Sequence, residues 1–438
     1  MPRLAEQVPW AALGDWPTPL DELRIDGRPI WIKREGDSNA QYGGNKVRTL
    51  EAWLGHVRAA GAERIWAIGA YGSNHAIATV IHARALGLDA GAIVFPQPAS
   101  EWAIENAGAL IASGCPIVRL RNVVEVPFAG VAVAARDRWF AGSADRGAVA
   151  STTRDGWSAG DALDRLRSLI NAHTTISTSD FARWAGALLA RAFGSELAKR
   201  SIVMPPGGAT PIGTLGALSA VFELAEQVAA EVAPPPSRIV LPVGSTCTTA
   251  GLLAGFALAH AIGVWRWPVP IVHAVRVTPW PVTSRVMITQ LAAYTLARIA
   301  QLGGPRVELG AAQLVVDRRE LGRGYGRITP QASDAMATFA AARVASRRDV
   351  HSRATNGDEQ SHATSRDEHG RATNGDEHGA PRLDGVYSGK AAAALLRLHR
   401  EGVGPLLFWS TKSTTRLAPP SPPELARAPR ALAHWLAT

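Results

Sequence analysis

Lysine is rare in this chain, and one lysine lies in a sequence that suits covalent chemistry. Lysine and arginine together number 46, but the lysines are only Lys33, Lys46, Lys199, Lys390 and Lys412. Lys46 ends the run Gly43-Gly44-Asn45-Lys46. Arginine keeps its charge, whereas a lysine shielded from water can lose its proton and condense with a carbonyl to form a Schiff base. The neighbouring residues leave a second interpretation open, a surface lysine in a glycine-rich turn before a helix.

A turn of small residues, Gly244-Ser245-Thr246-Cys247-Thr248, separates a predicted strand from a predicted helix. In that setting, backbone N–H groups and the helix dipole can hold a phosphate, and Ser245 and Thr248 can add hydroxyl donors. Most turns of this kind bind nothing. The turn lacks the glycine patterns of dinucleotide and nucleoside triphosphate sites, which argues against those ligands.

A second strand-to-helix junction carries Ser73-Asn74-His75. Ser73 suits the N-cap position, and Asn74 would lie at the carboxyl edge of the sheet. Two interpretations stay open, a helix cap alone or an anion site for a substrate carboxylate.

Two of the five tyrosines lie next to glycine or other small residues, Tyr325 in Gly324-Tyr325-Gly326 and Tyr387 before Ser388-Gly389. A tyrosine in an uncrowded turn can present its hydroxyl to a ligand as an acid, a base or a hydrogen-bond donor. It can equally pack a loop.

The composition indicates a globular protein, and anionic small ligands would explain its positive charge as well as nucleic acid would. The 438 residues, 47% hydrophobic and 19% charged, suit an α/β protein of about two domains. The net charge of +9 raises the question of nucleic acid, but the arginines are scattered without a basic block rich in aromatics, so no nucleic-acid partner is expected. Cys115 and Cys247 form no CxxC pair, so neither a disulfide framework nor a metal site is expected.

No membrane segment or signal peptide is expected. Residues 1–20 contain acidic residues and prolines in place of an apolar core. The longest apolar stretch, Ala250 to Val264, is shorter than the roughly 20 residues that cross a bilayer. The sequence therefore predicts a cytoplasmic protein without a membrane partner.

Short β-rich runs alternate with longer helical ones, which predicts parallel sheets with crossover helices. Two stretches interrupt the alternation. Residues 142–178 are interpreted as an insertion, and residues 353–379 form a nine-residue polar repeat in tandem. The repeat has no aromatic or branched aliphatic residue, so we expect a disordered loop. Metal binding by its histidines is an alternative that lacks a rigid scaffold.

The ordered motifs together resemble the 1-aminocyclopropane-1-carboxylate deaminase and D-cysteine desulfhydrase family. The resemblance runs from Pro17 to Thr411, apart from the two interruptions. The motifs that carry it are Pro17-Thr18-Pro19-Leu20, Ile32-Lys33-Arg34-Glu35, Gly43-Gly44-Asn45-Lys46, Gly72-Ser73-Asn74-His75, Pro206-Gly207-Gly208, Gly324-Tyr325-Gly326 and Val386-Tyr387-Ser388-Gly389-Lys390.

This resemblance implies an α/β fold of the tryptophan synthase β-like kind, fold type II of the pyridoxal phosphate enzymes, with two open twisted sheets and flanking helices. It implies a large cofactor-binding domain from residues 1–49 and 204–438, a small domain from 50–203, and a homodimer.

The resemblance also implies the roles of the site residues. Lys46 would form the Schiff base with pyridoxal 5'-phosphate, with Asn45 and Asn74 beside the cofactor. Ser73, Asn74, His75 and Thr411 would bind a small amino-acid substrate, with Ser73 close enough to take part in catalysis. The cofactor phosphate would lie at Gly244, Ser245, Thr246, Cys247 and Thr248. Tyr325 and Tyr387 would be the two active-site tyrosines, and Ser388 would face the pyridine nitrogen.

Ser388 and Thr411 match desulfhydrase-like members of the family, which predicts β-elimination from a D-amino acid such as D-cysteine to an α-keto acid and ammonia. Ring-opening deamination of the cyclopropane amino acid, another small amino-acid lyase or racemase activity, and a catalytically silent binding protein are the alternatives. Three departures from the family pattern favour the silent protein. Gly72 replaces a glutamine, Thr246 and Cys247 replace two glycines, and Ser410-Thr411-Lys412-Ser413 replaces His-Thr-Gly-Gly.

Overall fold

The computed structural model describes residues 6–126, 201–279, 282–310, 312–342 and 380–437. The predicted insertion at 142–178 and the repeat at 353–379 lie outside these ranges, and the predicted domain boundaries stay a prediction. The strands are β1 (Leu20–Ile25), β2 (Arg28–Arg34), β3 (Arg64–Ala70), β4 (Asp89–Phe95), β5 (Ile117–Arg119), β6 (Ser201–Met204), β7 (Arg238–Val243), β8 (Ile271–Arg276), β9 (Gln313–Asp317) and β10 (Leu406–Ser410). The helices are α1 (Lys46–Ala59), α2 (Asn74–Ala85), α3 (Glu101–Ala112), α4 (Leu215–Ala229), α5 (Cys247–Ala261), α6 (Arg285–Gln301), α7 (Pro330–Ala341), α8 (Ser388–Arg400), α9 (Pro422–Arg427) and α10 (Arg430–Leu436).

The strands form two sheets, which confirms the predicted α/β fold class. One sheet has the order β1-β2-β10-β7-β8-β9 and the other β5-β4-β3-β6. All the pairings are parallel except β1 with β2. Parallel strands joined by helices bury both sheet faces, which explains their continuous apolar sequences.

The carboxyl ends of the strands bring the predicted site segments together. Ser410 at the end of β10 pairs with Arg34 at the end of β2, and Phe408 pairs with Val240 of β7. The segments after β2, β7 and β10 therefore leave the same edge of the larger sheet. In the smaller sheet, β3 is parallel to β4 and β6, so the segments after β3 and β6 also share an edge. Ligands of open α/β sheets bind at such edges.

Three features differ from the sequence predictions. The β1–β2 hairpin was not predicted, although Asp26-Gly27, with φ of 51° and 74°, is a favoured type of two-residue turn. The strands β6 and β9 were not predicted either. The sequence also predicts one final helix near Glu424 to Leu436, whereas the structure has two, α9 and α10, because Pro429 between them has no N–H to continue a helix.

Close packing of α4 on α5 fixes the turn that precedes α5. A Cβ on Gly251 would lie 2.6 Å from the carbonyl oxygen of Thr214, and one on Gly255 would lie 2.7 Å from a methyl of Val221. Only glycine permits this approach at both positions, one helical turn apart. The helix is buried along most of its length, so its first turn cannot shift without moving the core.

A buried network of charges supports the first turn of α1. Arg48 donates to Glu35 at 2.7 Å and to Glu223 of α4 at 3.0 Å. Lys33 of β2 also donates to Glu223, and its amine reaches the carbonyl of Thr18 at 2.7 Å. Because removing one partner would leave a buried charge uncompensated, this network holds α1 against β2 and α4.

Within the described ranges, no helix is both long and apolar enough to span a bilayer. The same residues contain no group of His, Cys, Asp and Glu arranged to hold a metal ion.

Candidate active site

Lys46 is the first residue of α1, and glycines bring its loop close to the ends of β2 and β10. A Cβ on Gly43 would lie 2.0 Å from the carbonyl oxygen of Gly36, and Gly44 has a φ of 105°. The N–H of Asn45 donates to the carbonyl of Thr411 at 3.3 Å. The loop is therefore held by backbone contacts, and its glycines are needed for the close approach.

The amine of Lys46 is available for chemistry. Lys46 is half-buried, and its amine makes no hydrogen bond with any residue in the described ranges. Burial lowers the pKa of the Lys46 amine below that of a free lysine, while the nearby Cys247 thiol acts in the opposite direction. A lowered pKa enlarges the neutral fraction of the amine, which is the nucleophilic form.

The turn before α5 lies beside the Lys46 loop. The side-chain amide of Asn45 donates to the hydroxyl of Thr248 at 2.8 Å. The thiol of Cys247 lies 3.7 Å from the hydroxyl of Thr49 and 3.5 Å from the carbonyl oxygen of Gly208. The buried Cys247 thus anchors the turn, whereas Thr248 links it to the lysine loop.

One residue of this turn has a left-handed backbone conformation. Thr246 has a φ of 69°, a conformation that is sterically costly for a β-branched residue. This explains why glycine would be expected at that position. A Cβ on Gly207, whose φ is also 69°, would lie 2.0 Å from the hydroxyl of Ser245. The Pro206-Gly207-Gly208 segment after β6 therefore packs directly on the turn.

Tyr325 and Tyr387 form a pair. Their hydroxyls are 2.6 Å apart, and their rings are edge to face with centroids 6.0 Å apart. A Cβ on Gly244 would lie 3.0 Å from the Tyr387 ring, which places this ring at the start of the turn before α5. Burial raises the pKa of Tyr325 to about 12 and raises that of Tyr387 well above its usual value. Both phenols are therefore protonated at neutral pH, and one can donate to the other.

Lys390 holds the loop that carries Tyr325. Its ammonium donates to the carbonyl oxygens of Leu321 at 2.9 Å and Gly324 at 3.3 Å. Because Lys390 lies in α8, directly after the segment that contains Tyr387, it ties the two tyrosine segments to each other.

At the start of α2, Ser73 is the N-cap, as its sequence position predicts. Its hydroxyl accepts from the N–H of Ala76 at 3.2 Å. The side-chain oxygen of Asn74 accepts from Tyr42 at 3.1 Å, Asn106 at 2.9 Å and Lys412 at 3.0 Å. Three donors on one oxygen fix the orientation of the Asn74 amide.

His75 is buried, and its ring has no hydrogen-bond partner among the described residues. Burial and, second, the neighbouring Lys46 lower the pKa of His75 to about 3, while the backbone of Pro205 acts in the opposite direction. His75 is therefore neutral at physiological pH. An unpartnered buried imidazole is unusual, and this one lies close enough to Lys46 for the two side chains to interact electrostatically.

The hydroxyl of Ser388 is already engaged. It accepts from the N–H of Asp384 at 2.7 Å and donates to the Asp384 carboxylate at 3.0 Å. Its only proton is therefore in use, so towards a ring nitrogen Ser388 has a lone pair to offer.

Sequence reasoning missed four residues of this site: Tyr42, Asn106, Asp384 and, as a site residue, Lys412. Tyr42 precedes Gly43 and is one of only five tyrosines, which is a signal that was available. Asn106 gave no signal, because its partners Tyr42, Gly72 and Asn74 are distant in sequence. Asp384 contacts the nearby Ser388, but nothing in the local sequence indicated that contact.

The predicted site residues lie where the two sheet edges meet. Described contacts join Asn45 to Thr248 and Thr411, Tyr387 to Tyr325 and Gly244, and Ser245 to the segment after β6. Lys46 interacts electrostatically with both His75 and Cys247. Ser73 and Asn74 form the first turn of the helix that carries His75. Ser388 lies behind Tyr387 at the start of α8.

The sequence is similar to those of known enzymes. It is 33% identical over 238 residues to the nocardicin C-9' epimerase of Nocardia uniformis subsp. tsuyamanensis, covering 54% of this chain and 56% of that protein. It is 28% identical over 243 residues to a D-cysteine desulfhydrase of Yersinia pestis, covering 54% of this chain and 57% of that protein. The chain thus spans less than two thirds of the length of these relatives. No family model matches the chain.

The fold is that of a crystal structure described as an ACC deaminase homologue, with a TM-score of 0.55 and 24% identity over 94% of each chain. ACC is 1-aminocyclopropane-1-carboxylate. The predicted resemblance is therefore confirmed, in sequence by the desulfhydrase and in fold by this homologue. The predicted two-sheet fold is confirmed as well.

Proposed function

We propose that this protein is a pyridoxal phosphate-dependent enzyme that acts on a small amino acid by β-elimination, giving an α-keto acid and ammonia. The observation that carries the proposal is the bond between Asn45 and Thr248, at 2.8 Å. It joins a loop that ends in a reactive lysine to a turn with the geometry of a phosphate site. A cofactor held by both an aldehyde and a phosphate needs these two features side by side.

The residues fit that cofactor. Gly207 packs on Ser245 of the turn before α5, and the N–H groups and dipole of α5 would stabilise the charge of a phosphate bound at this turn. Ser245 and Thr248 would add hydroxyl donors. Ser388 would present a lone pair, which suits a ring nitrogen that carries a proton. When bound, the cofactor supplies a sink for electrons from the substrate Cα.

The remaining work falls to side chains of this chain. The neutral Lys46 amine would take the proton from the substrate Cα. The N-terminus of α2, with Ser73 and Asn74, would hold the substrate carboxylate. Tyr325 and Tyr387 are protonated and share a hydrogen bond. One hydroxyl can therefore donate its proton to the leaving group and receive a proton from the other hydroxyl.

We propose D-cysteine or a related D-amino acid as the substrate, because Ser388 and Thr411 match the desulfhydrase-like pattern. The relative named D-cysteine desulfhydrase supports this choice. Ring-opening deamination of 1-aminocyclopropane-1-carboxylate is the alternative, and it would also be a pyridoxal phosphate-dependent reaction. A homodimer rests on the family resemblance alone, and a location in the cytoplasm rests on the sequence analysis above.

The experiment compares the purified protein with its Lys46→Ala and Lys46→Arg variants. We expect a visible absorption band from pyridoxal phosphate bound to Lys46, absent from both variants. Ammonia and sulfide release would then be measured with D-cysteine, L-cysteine, D-serine and the cyclopropane substrate. A band that survives in Lys46→Ala would refute the role of Lys46. A band without turnover of any amino acid would support the catalytically silent protein.

Inversion at Cα is a second candidate. The relative that is 33% identical is named an epimerase. Inversion needs the same removal of the Cα proton by Lys46, followed by return of a proton from the opposite face. It would be recognised by loss of optical purity of D-alanine or L-alanine without release of ammonia.

A further inference from the structure

A buried lysine that is not part of the proposed cofactor chemistry points into the first turn of α2. Lys412 is only 2% exposed, and its amine donates to the side-chain oxygen of Asn74 at 3.0 Å. The Tyr42 ring lies beneath it, with 5.9 Å between the amine and the ring centroid. The turn after β10 thus delivers a positive charge to the helix N-terminus that the proposed function assigns to the substrate.

No carboxylate of the described residues lies within ion-pair distance of Lys412. Asp384 and, less strongly, Glu105 exert a favourable charge on it. The Asp384 carboxylate already accepts hydrogen bonds from Tyr387 and Ser388, and Glu105 is paired with Arg382. Of the three donors on the ammonium, one is used, by Asn74. Burial accordingly lowers the pKa of the Lys412 amine. A cation in this state would be stabilised by an anion that enters from outside.

The helix terminus offers matching donors. The N–H of Ser73 donates to Ala70, and that of Ala76 to the Ser73 hydroxyl. Among the described residues, the N–H groups of Asn74 and His75 have no acceptor. The imidazole of His75, 4% exposed, is likewise without a partner. Uncommitted donors of three kinds therefore lie at the first turn of α2.

The neighbouring position explains why a lysine is needed there. A Cβ on Gly72 would lie 2.3 Å from the Cα of Ala103 in α3, so no side chain fits at that position. A polar side chain at the position before Ser73 is thereby excluded. Lys412 approaches the same helix terminus from the larger sheet and supplies a charge that position 72 cannot.

We infer that Lys412 is a substrate-binding residue, whose ammonium is the counter-charge for the carboxylate of the amino acid at the N-terminus of α2. This inference rests on the proposed function, since it names the group that recognises the substrate of that site. It also distinguishes two roles for Lys412. A counter-charge discriminates carboxylates from neutral ligands, whereas a residue that only orients Asn74 affects both alike.

The test uses propionate and propionamide, which differ in the carboxylate charge and need no cofactor to bind. Dissociation constants from ligand-observed NMR would be compared for the wild type, Lys412→Met and Tyr42→Phe. Methionine keeps the length of lysine without its charge. Phenylalanine removes another donor to the same Asn74 oxygen and leaves Lys412 intact, so it is the matched control.

We expect Lys412→Met to weaken propionate binding roughly tenfold to a hundredfold, the loss of a charged hydrogen bond, and to change propionamide binding less than about twofold. Tyr42→Phe should preserve the preference for propionate. Equal weakening of both ligands by Lys412→Met, no effect of this variant, or no binding of propionate to the wild type would overturn the inference.

A parallel titration of the holoenzyme with D-alanine and ethylamine, followed by the visible absorption of the cofactor, separates this inference from the proposed function. Lys412→Met should weaken the binding of D-alanine and leave the binding of ethylamine unchanged. If the wild type binds no cofactor, the proposed function fails, and the propionate comparison still decides the role of Lys412.

Discussion

Gly207→Ala should distort the turn before α5, because the added Cβ would collide with Ser245. Gly207 has a φ of 69°, and its added Cβ would lie 2.0 Å from the Ser245 hydroxyl and 2.1 Å from the Ser245 Cβ. Two costs follow. The left-handed conformation costs an alanine roughly 1–2 kcal/mol, and displacing Ser245 in a packed region costs about 1–3 kcal/mol more.

Gly61→Ala is the matched control. Gly61 has a φ of 66°, and nothing lies within 4 Å of its added Cβ. This variant should therefore lose only the cost of the left-handed backbone conformation, roughly 1–2 kcal/mol of the free energy of unfolding. The difference between the two variants isolates the contact with Ser245.

Urea denaturation of the wild type and both variants gives the free energies of unfolding, and titration with pyridoxal phosphate gives the cofactor affinity. We expect Gly207→Ala to be less stable than Gly61→Ala by about 1–3 kcal/mol and to bind the cofactor more weakly. Gly61→Ala should bind it as the wild type does. Adding Ser245→Gly to Gly207→Ala removes the clashing atoms and should recover most of the difference. Equal losses in the two single variants, or no recovery in the double variant, would contradict the packing described here.

Two further predictions concern buried titratable groups. Lys390→Met leaves the carbonyls of Leu321 and Gly324 without their donor, so it should cost about 2 kcal/mol of unfolding free energy and lower kcat. In a Tyr325→Phe background it should lower kcat no further, and an additive loss would exclude a role through Tyr325. The pKa of His75 is lowered from 6.5 to about 3, so its stabilising contribution is present above pH 6.5 and is lost as the pH falls towards 3. Between pH 7 and pH 4 the free energy of unfolding of the wild type should fall by roughly 3 kcal/mol more than that of His75→Gln, as measured by urea denaturation. Equal decreases would show that the pKa of His75 is not lowered in the folded protein.

Local sequence signals predicted the parts of the fold and site that are determined locally. The N-cap at Ser73 and the strand-to-helix turn at Gly244–Thr248 follow from residue types at fixed offsets. The convergence of Tyr42, Asn106 and Lys412 on Asn74 could not be predicted, because Asn74 and its three partners come from four separate segments. The engagement of Ser388 by Asp384 was also missed, since it depends on how the chain enters α8.

The scarcity of lysine has a physical explanation in this structure. Lys33, Lys390 and Lys412 are each no more than 2% exposed, and each donates to oxygens at the end of its side chain. A guanidinium is larger and brings five donors that all need acceptors, so an arginine would leave buried N–H groups unsatisfied where an ammonium fits. Lys46 differs from these three, because its amine has no acceptor among the described residues. Lys199, the fifth lysine, lies outside the described residues. Packing and hydrogen bonding therefore account for Lys33 and Lys390, Lys412 keeps two donors for a ligand, and Lys46 is left for chemistry.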